Sequence, residues 1–443
     1  MTDKKYWLTS GFFTMLHRGM DFFLGFLGFM ILVRIFSPEE FGVWVLLITL
    51  IAIVDMARNG FLQNGMIKFL VGKNPSNQAK IQGAALYLNS VLTLIFFALI
   101  WFSATWLEKM LNAPGLSEIL KIYSWVLPFL IFHSHNLVLM QAKYDFRAYF
   151  IAGISKNLPF FLVILYYFFS ESILQLSTLA WFHNGALILA SLMSVIQVKK
   201  HLHIRWKWNR YWNKKIFHFG KYVFGTNLVS MLTNSLDKLL LGALLSPIQV
   251  AMANTAGRVM NMVEIPVNSI ASISYPKASE AFDKAQLQEV GRLYDKTVGI
   301  MLSFTFPFWL ITLGFAPYII LIIAGEAYLD AAPFLRIMAL LALIKPFDRQ
   351  SGVFLDAIGK PFLNMIMVFG TFVYGAALSY FLIKIFGFMG AAYGLVLAVL
   401  ITAIIKQIML RKYIPISNKN CMYQAAANFP EIWRILLKKF KKN

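Results

Sequence analysis

The stretch "IFSPEEFGVWVLL" (residues 35–47) places a Ser-Pro pair and two glutamates between two long apolar segments. A similar stretch, "LLSPIQVAMANTA", follows at residues 244–256, with its Ser-Pro pair 209 residues after the first. Pro is common at the first position of a helix, so each stretch predicts a short turn between two helices. The spacing suggests that one structural plan occurs twice in the chain.

The composition indicates a polytopic membrane protein. Hydrophobic residues make up 59% of the 443 residues and charged residues only 14%, whereas soluble proteins contain about 25% charged residues. Several apolar runs exceed the roughly 20 residues that a membrane-spanning helix needs. Runs bounded by charged, polar or Pro residues predict twelve helical spans: 11–36, 41–66, 82–107, 117–140, 149–169, 173–198, 218–243, 250–275, 297–323, 333–355, 363–386 and 389–410.

The distribution of Lys and Arg predicts the orientation. With the N-terminus inside, 27 Lys and Arg residues lie on the predicted inner side, and four lie on or toward the outer side, which are Arg34, Lys109, Lys121 and Lys384. Positively charged loops are retained in the cytoplasm, so both termini are expected to be cytoplasmic. This bias accounts for most of the net charge of +21, and nucleic-acid binding is not implied. The first apolar run is longer than the core of a secretory signal, so we expect it to remain as the first helix.

A shift of 209 residues aligns more than the two turns, because it also places the membrane acid Asp55 on Glu264. Ser-Pro alone is a common turn, but the matched acid and the even number of spans favour two parallel repeats, as in many transporters. The predicted organisation is a six-helix lobe at 1–198, a basic connector at 199–217, a second six-helix lobe at 218–411, and a basic cytoplasmic tail with an interfacial helix at 412–443.

Three stretches resemble a known family: "RIFSPEEFGVWVLL" (34–47), "DMARNGFLQNGMIKFL" (55–70) and "NSLDKLLLGALLSPIQVAMANTAGRVMNMVEIPVNSIASISYPKASEAF" (234–282). They are similar to the oligosaccharide-lipid flippases that move O-antigen and related polysaccharide repeat units, within the multidrug, oligosaccharidyl-lipid and polysaccharide exporter superfamily. The resemblance implies an all-α integral membrane fold, with about twelve transmembrane helices in two six-helix lobes around a central cavity.

The same resemblance implies a function. It implies alternating access without nucleotide hydrolysis, a polyprenyl-pyrophosphate-linked oligosaccharide as the substrate, and a place in surface polysaccharide or lipopolysaccharide biosynthesis at the bacterial cytoplasmic membrane. Membrane lipids and the polysaccharide polymerase machinery are the other expected partners. On this interpretation the protein is a transporter and not an enzyme.

Ionisable side chains inside membrane spans are costly, so each is a candidate for function. A pyrophosphate needs cations and sugar hydroxyls suit amides. The candidate cations are Arg18, Arg58, Lys238 and Arg258, and the candidate amides are Asn59, Asn234, Asn254 and Asn261. We hypothesise that Arg58 and Arg258 contact the pyrophosphate.

Four acids raise the question of energy coupling: Asp21, Asp55, Asp237 and Glu264. Each could exchange a proton or bind sodium, or could be the counter-ion of a neighbouring cation, and the sequence leaves both open; no cofactor is expected. Arg18 with Asp21, and Asp55 with Arg58, have the spacing of simple intrahelical pairs. The cluster from Lys345 to Arg349 can be explained as an interfacial structural cluster, and the histidines His133, His135 and His183 as satisfied polar residues of the bundle.

Two segments predict contact with the membrane surface. Aromatic and basic residues alternate at 204–217, and an amphipathic basic helix is predicted at 429–443. Trp and Tyr favour the headgroup region, and basic residues favour anionic lipid.

Two other functions stay open. A cation-coupled multidrug exporter would share the fold, although the buried cations argue against it. A membrane-embedded glycan polymerase or ligase would need more extracytoplasmic chain than the longest predicted outer loops, 108–116 and 324–332, provide. A phosphate-binding G-x-x-x-x-G-K-[ST] loop is absent from the sequence, so the chain itself contains no such nucleotide-driven pump.

Overall fold

The computed structural model describes residues 3–70, 74–143, 145–202 and 209–428, and within these ranges it contains helices and no strands. This confirms the all-α fold. The fourteen α-helices are α1 (Asp3–Ile35), α2 (Pro38–Leu70), α3 (Pro75–Met110), α4 (Leu116–Ser124), α5 (Leu127–Ala142), α6 (Phe146–Ser170), α7 (Leu176–Val198), α8 (Arg210–Leu244), α9 (Pro247–Asp283), α10 (Leu287–Ala324), α11 (Ala331–Met338), α12 (Leu341–Ala357), α13 (Pro361–Phe386) and α14 (Phe388–Arg411).

Each of the twelve predicted spans lies on one helix or on a pair of consecutive helices. The fourth span is the pair α4 and α5, bent by 58°, and the tenth is the pair α11 and α12. Within the described ranges, eight helices are long and apolar enough to cross a membrane, and the bent pair makes nine. The remaining spans lie on α8, α9 and α11–α12, and the polar side chains along α9 explain its lower hydropathy.

The first Ser-Pro turn owes its shape to a capping box between α1 and α2. The Ser37 hydroxyl donates to the Glu40 carboxylate (2.8 Å), which also accepts the Ser37 backbone N–H (3.1 Å), and the Glu40 backbone N–H donates back to the Ser37 hydroxyl (3.3 Å). Pro38 takes the first helical position, where its missing N–H costs nothing. The turn therefore has a local chemical cause.

The second Ser-Pro turn, between α8 and α9, shows one of these contacts. The Ser246 hydroxyl donates to the Gln249 side chain, three residues on, and α9 begins at Pro247. Gly42, early in α2, packs directly against the backbone carbonyl of Pro247, and a methyl group on Gly42 would overlap that carbonyl. Each copy of the repeated stretch thus starts a helix at its Ser-Pro pair, and the two starts touch.

The chain divides into two compact units. Unit 1 comprises 1–235 and 246–251, and unit 2 comprises 236–245 and 252–443. One apolar cluster of unit 1 joins α2, α3, α5, α6 and the first turns of α8, with Ile81 and Leu139 fully buried. In unit 2, α9, α10, α12 and α14 meet around Tyr294 and Phe354.

Unit 2 also includes a docked segment that follows α14. Residues 418–428 are helical, and the buried Asp295 carboxylate of α10 accepts hydrogen bonds from the Ser417 backbone N–H (3.0 Å) and the Asn420 amide (3.2 Å) at the start of this helix. Burial first, and then the Asp295 carboxylate, raise the pKa of the neighbouring Cys421 thiol. The interfacial helix expected at 429–443, like residues 203–208 of the basic connector, lies outside the described residues.

Candidate functional site

Arg58 is the centre of a buried polar network in unit 1. It lies on α2, and its side chain is 0% exposed. Its Nε donates to the Thr93 hydroxyl on α3 (3.0 Å), and its Nη1 lies 3.4 Å from Asp55 Oδ1. Because removing an unpaired guanidinium from water is expensive, these contacts explain how α2 can keep a cation inside the unit. Its Nη2 has no acceptor among the described residues.

The network continues from α3 to α5. Thr93 Oγ1 donates to Asn89 Oδ1 (3.4 Å), and Asn89 Nδ2 donates to the Ser134 hydroxyl (3.0 Å). Asn59, Asn89 and Ser134 line a crevice of about 10 Å³. This is close to the volume that one water molecule needs, and it is too small for a sugar. The structure therefore places Asn59 beside a pocket of water size.

Asp55 is the part of this network that reaches the surface of unit 1. Its side chain is 31% exposed, whereas that of Arg58 is fully covered. The phenolic hydroxyl of Tyr123, at the end of α4, donates to Asp55 Oδ1 (3.5 Å). In this conformation a ligand could reach the Asp55 carboxylate. The same ligand could contact Arg58 only after a rearrangement.

The structure separates Arg18 from Asp21. Asp21 accepts a hydrogen bond from Asn157 of α6 (2.6 Å) and lies 3.4 Å from His17. Arg18 is exposed, and the described ion pairs do not include one between Arg18 and Asp21. Asn157 was not among the sequence candidates, because its partner is 136 positions away in the chain.

In unit 2 the polar stripe predicted on α9 becomes progressively uncovered. Asn254 is 8% exposed, Arg258 is half-buried, and Asn261, Asn268 and Ser272 are exposed. Residues three, four or seven positions apart share a helix face, so these side chains form one stripe. An exposed stripe of amides on a membrane helix requires a hydrated surrounding.

Glu264 interrupts this stripe with an ion pair. Its carboxylate pairs with the ammonium of Lys345 from α12, and it accepts a hydrogen bond from Asn268 Nδ2 (3.3 Å). The side chains of Lys345 and Glu264 are 26% and 37% exposed. Both partners are therefore accessible in a way that Arg58 is not.

The remaining candidates lie on α8 and on α12. Asp237 and Lys238 are half-buried on α8, and the side chain of Asn234 lies outside the described residues. Asp348 pairs with Lys406 of α14 (2.8 Å), and Asp356 accepts two hydrogen bonds from Asn364 (both 3.1 Å). The charges predicted as one cluster at 345–349 thus have separate partners, Glu264 for Lys345 and Lys406 for Asp348, and Lys406 was missing from the sequence candidates.

The three histidines have structural surroundings. His133 Nδ1 lies 3.2 Å from the Ala190 carbonyl oxygen, and the His183 ring packs edge-to-face against Trp44 and Phe160. His135 is buried. Within the described ranges there is no group of three or more His, Cys, Asp or Glu side chains that could hold a metal ion.

Comparison with known sequences identifies relatives of the chain. The family described as "Polysaccharide biosynthesis protein" matches residues 31–333. An uncharacterized membrane protein, MJ1068, of Methanocaldococcus jannaschii is 24% identical over 180 residues, which are 40% of this chain and 36% of the relative. The matched region therefore spans little more than a third of that relative's length.

Comparison with solved structures gives the fold. Lipid II flippase MurJ in an inward closed conformation matches with a TM-score of 0.78 at 13% identity, over 96% of this chain and 92% of its own. The inward-facing conformation of a multidrug resistance MATE family transporter of the MOP superfamily matches with a TM-score of 0.76 at 14% identity, over 88% and 93% of the two chains. At these identities the similarity concerns the fold alone.

Proposed function

Because the chain belongs to the polysaccharide biosynthesis protein family, we propose that it is an alternating-access flippase that moves a polyprenyl-pyrophosphate-linked oligosaccharide across the cytoplasmic membrane. The chain is a multi-pass membrane protein with the fold of known transporters and flippases. The resemblance inferred from the three stretches at 34–47, 55–70 and 234–282 is confirmed by the family match. The substrate is the new element of the proposal.

The observation that supports this substrate best is the uncovered stripe of α9. Asn261, Asn268 and Ser272 present amide and hydroxyl groups without a net charge. Such groups donate to and accept from sugar hydroxyls, and they have no preference for a cation. An oligosaccharide therefore satisfies this stripe better than an apolar drug does.

Two cations differ in the role that we propose. Arg258 is half-buried on the same stripe, so it can contact a pyrophosphate directly. Arg58 is covered in this conformation and would reach a phosphate after the transporter changes state. Arg18 is exposed on α1 and would provide a further accessible positive charge in unit 1.

Energy coupling is proposed to involve Asp55 and Glu264, the matched acids of the two halves. Each is partly exposed and each lies beside a cation, Arg58 or Lys345. A proton or a sodium ion that binds either carboxylate would weaken its ion pair and release the cation for the substrate. We therefore propose that transport is coupled to H⁺ or Na⁺.

The cellular setting is part of the same proposal. The excess of Lys and Arg in the predicted inner loops favours a bacterial cytoplasmic membrane location with both termini inside. A lipid-linked repeat unit of O-antigen or a related polysaccharide would then be delivered to the outer face. The polymerase machinery would take it up there.

A second candidate is a cation-coupled multidrug exporter of the same superfamily. It is favoured by the accessibility of Asp55, since an exposed carboxylate next to a buried guanidinium attracts an organic cation more readily than a phosphate. The flippase is thus supported by the stripe of α9, and the drug exporter by Asp55 of unit 1.

The proposal is tested by measuring surface glycan and lipid-linked intermediate together in cells that lack the gene. We expect surface glycan to disappear and the intermediate to accumulate on the inner leaflet.

The variant Asn261→Leu/Asn268→Leu should lower export by about tenfold, since two hydrogen-bonding groups are lost. Met262→Leu, at an exposed apolar position of the same helix, is the matched control.

Two results would contradict the proposal. Full-length glycan that is still exported at the normal rate would favour the drug exporter. Short units that accumulate on the outer face would place the defect at polymerisation instead.

A further inference from the structure

An open crevice lies between the N-terminal ends of α3 and α8 in unit 1. Its volume is about 460 Å³, within the range of about 300 to 1,000 Å³ that is usual for small-molecule sites. The lining residues are Asn77, Lys80, Asn209, Tyr211, Trp212 and Lys215. None of the residues described above as candidates for transport lines it.

The lining has a net positive charge. Among the described residues it includes two lysines and no carboxylate. The Lys215 ammonium donates to the Tyr211 hydroxyl (3.2 Å) and lies 5.2 Å from the ring centres of Trp212 and Phe69. These aromatic contacts fix the position of the ammonium. Lys80 is half-buried, and none of the described hydrogen bonds or ion pairs involves its ammonium.

Both helices direct their N-terminal ends to this crevice. α3 begins at Pro75, and the Asn77 backbone N–H donates to the Asn74 side chain (3.0 Å). At the start of α8, the Trp212 backbone N–H donates to Asn209 Oδ1 (3.0 Å). Helix N-termini have a partial positive charge and favour anions. The two helix ends therefore add to the field of the two lysines.

The surroundings are those of a membrane interface. Tyr211 and Phe217, on the first turns of α8, are 63% and 52% exposed. The apolar span of α3 follows its polar first turn. Amphipathic aromatic residues at the end of a span lie at the level of the lipid headgroups. A ligand in this crevice would thus be at headgroup depth.

We infer that this crevice binds the phosphate group of an anionic membrane lipid, held between the ammonium groups of Lys80 and Lys215. The amides of Asn77 and Asn209 lie on the same lining and suit the polar part of a headgroup. The lipid is either an anionic glycerophospholipid or a prenyl phosphate, because both offer the same phosphate chemistry. The inference does not depend on the proposed transport function.

The test measures lipid binding by native mass spectrometry of the full chain in detergent. The added ligands are dioctanoyl phosphatidylglycerol, dioctanoyl phosphatidylcholine, farnesyl phosphate and inorganic phosphate. We expect either anionic lipid to bind more tightly than phosphatidylcholine. Lys80→Gln and Lys215→Gln should each weaken its binding about fivefold, which corresponds to one basic residue at a membrane surface.

The matched control is Lys214→Gln, at the exposed neighbouring position of α8 that does not line the crevice. It removes the same charge from the same surface and should change binding less than twofold. If Lys215→Gln impairs folding, Lys80→Gln alone decides, because Lys80 has no aromatic contacts among the described ones.

The preferred anionic lipid identifies the source of the phosphate, and either preference supports the inference. Equal binding of phosphatidylglycerol and phosphatidylcholine would overturn it. An equal effect of Lys214→Gln would also overturn it, since it would indicate attraction to the whole basic surface. Binding of inorganic phosphate as tight as that of the lipids would overturn the assignment to a lipid headgroup.

Discussion

In the predicted repeat, helices α2 and α9 occupy equivalent places in the two halves, yet the acids at the matched position have different surroundings. Both begin with a Ser-Pro cap, and Asp55 and Glu264 follow at the same distance from it. Asp55 faces an arginine of its own helix that is fully covered. Glu264 faces Lys345 of another helix, and both of these side chains remain partly exposed.

The cations of the two helices do not follow the repeat. The residue that corresponds to Arg58 is Val267, and the residue that corresponds to Arg258 is Thr49. The turn and the acid thus belong to the shared plan, whereas each half has its own arrangement of positive charge. Unit 1 has a closed polar network, and α9 has an open stripe.

The closed network should be the more sensitive of the two to substitution. Arg58→Met leaves the Asp55 carboxylate without its guanidinium and the Thr93 hydroxyl without its donor. We expect a loss of about 3 kcal/mol in the free energy of unfolding, measured by thermal or denaturant unfolding in detergent. The double variant Asp55→Asn/Arg58→Met should recover part of this loss. A single variant as stable as the wild type would contradict the account of the network.

The contact between the two turns should be the next most sensitive. Gly42→Ala places a methyl group against the Pro247 carbonyl, and such overpacking costs about 2 kcal/mol. Gly25→Ala, on α1, meets no atom within 4 Å and serves as the control. It should leave the unfolding midpoint unchanged or raise it, since Ala favours helix. Equal effects of the two substitutions would mean that the turns do not touch.

The two caps should contribute equally if the repeat is a structural one. Ser37→Ala removes the capping box, and Ser246→Ala removes the hydroxyl bond to Gln249 at the equivalent helix start; we expect each to cost about 1 kcal/mol. Unfolding midpoints of the two variants, compared with each other, check this. If one substitution lowers the unfolding midpoint and the other does not, the serine stabilises the helix start in one half only.

The exposed pair on α9 should matter least for stability. Lys345→Gln is expected to reduce the free energy of unfolding by about 0.5 kcal/mol, because partly exposed ion pairs contribute little. The same substitution should reduce glycan export much more strongly if Glu264 takes part in coupling. A stability loss as large as that of Arg58→Met would remove the distinction between the two halves.

Much of the fold follows from local patterns in the sequence. Apolar length places each span on a helix, and the Ser-Pro stretches mark both equivalent turns. The bend between α4 and α5 leaves no break in hydropathy, so 117–140 was predicted as one straight span. The docking of 412–428 on Asp295 depends on contacts across more than 120 positions, which periodicity does not detect.

Many of the candidate residues could be predicted from the sequence, but most of their interaction partners could not. The stripe on α9 follows from helical spacing, and so does the Asp55–Arg58 pair. The partners of Asp21, Glu264 and Asp348 come from other helices. Spacing within one helix can be read from a single sequence. Contacts between residues on different helices cannot.

The central claim is that the protein moves a lipid-linked oligosaccharide. The most direct test is to reconstitute the purified protein in liposomes that contain a polyprenyl-pyrophosphate oligosaccharide in the inner leaflet. Appearance of the glycan outside is then followed with an impermeant glycosidase. We predict exposure that depends on the protein and is reduced in Asn261→Leu/Asn268→Leu. An unchanged inner-leaflet glycan, together with uptake of an organic cation by the same liposomes, would contradict the claim and identify a drug exporter.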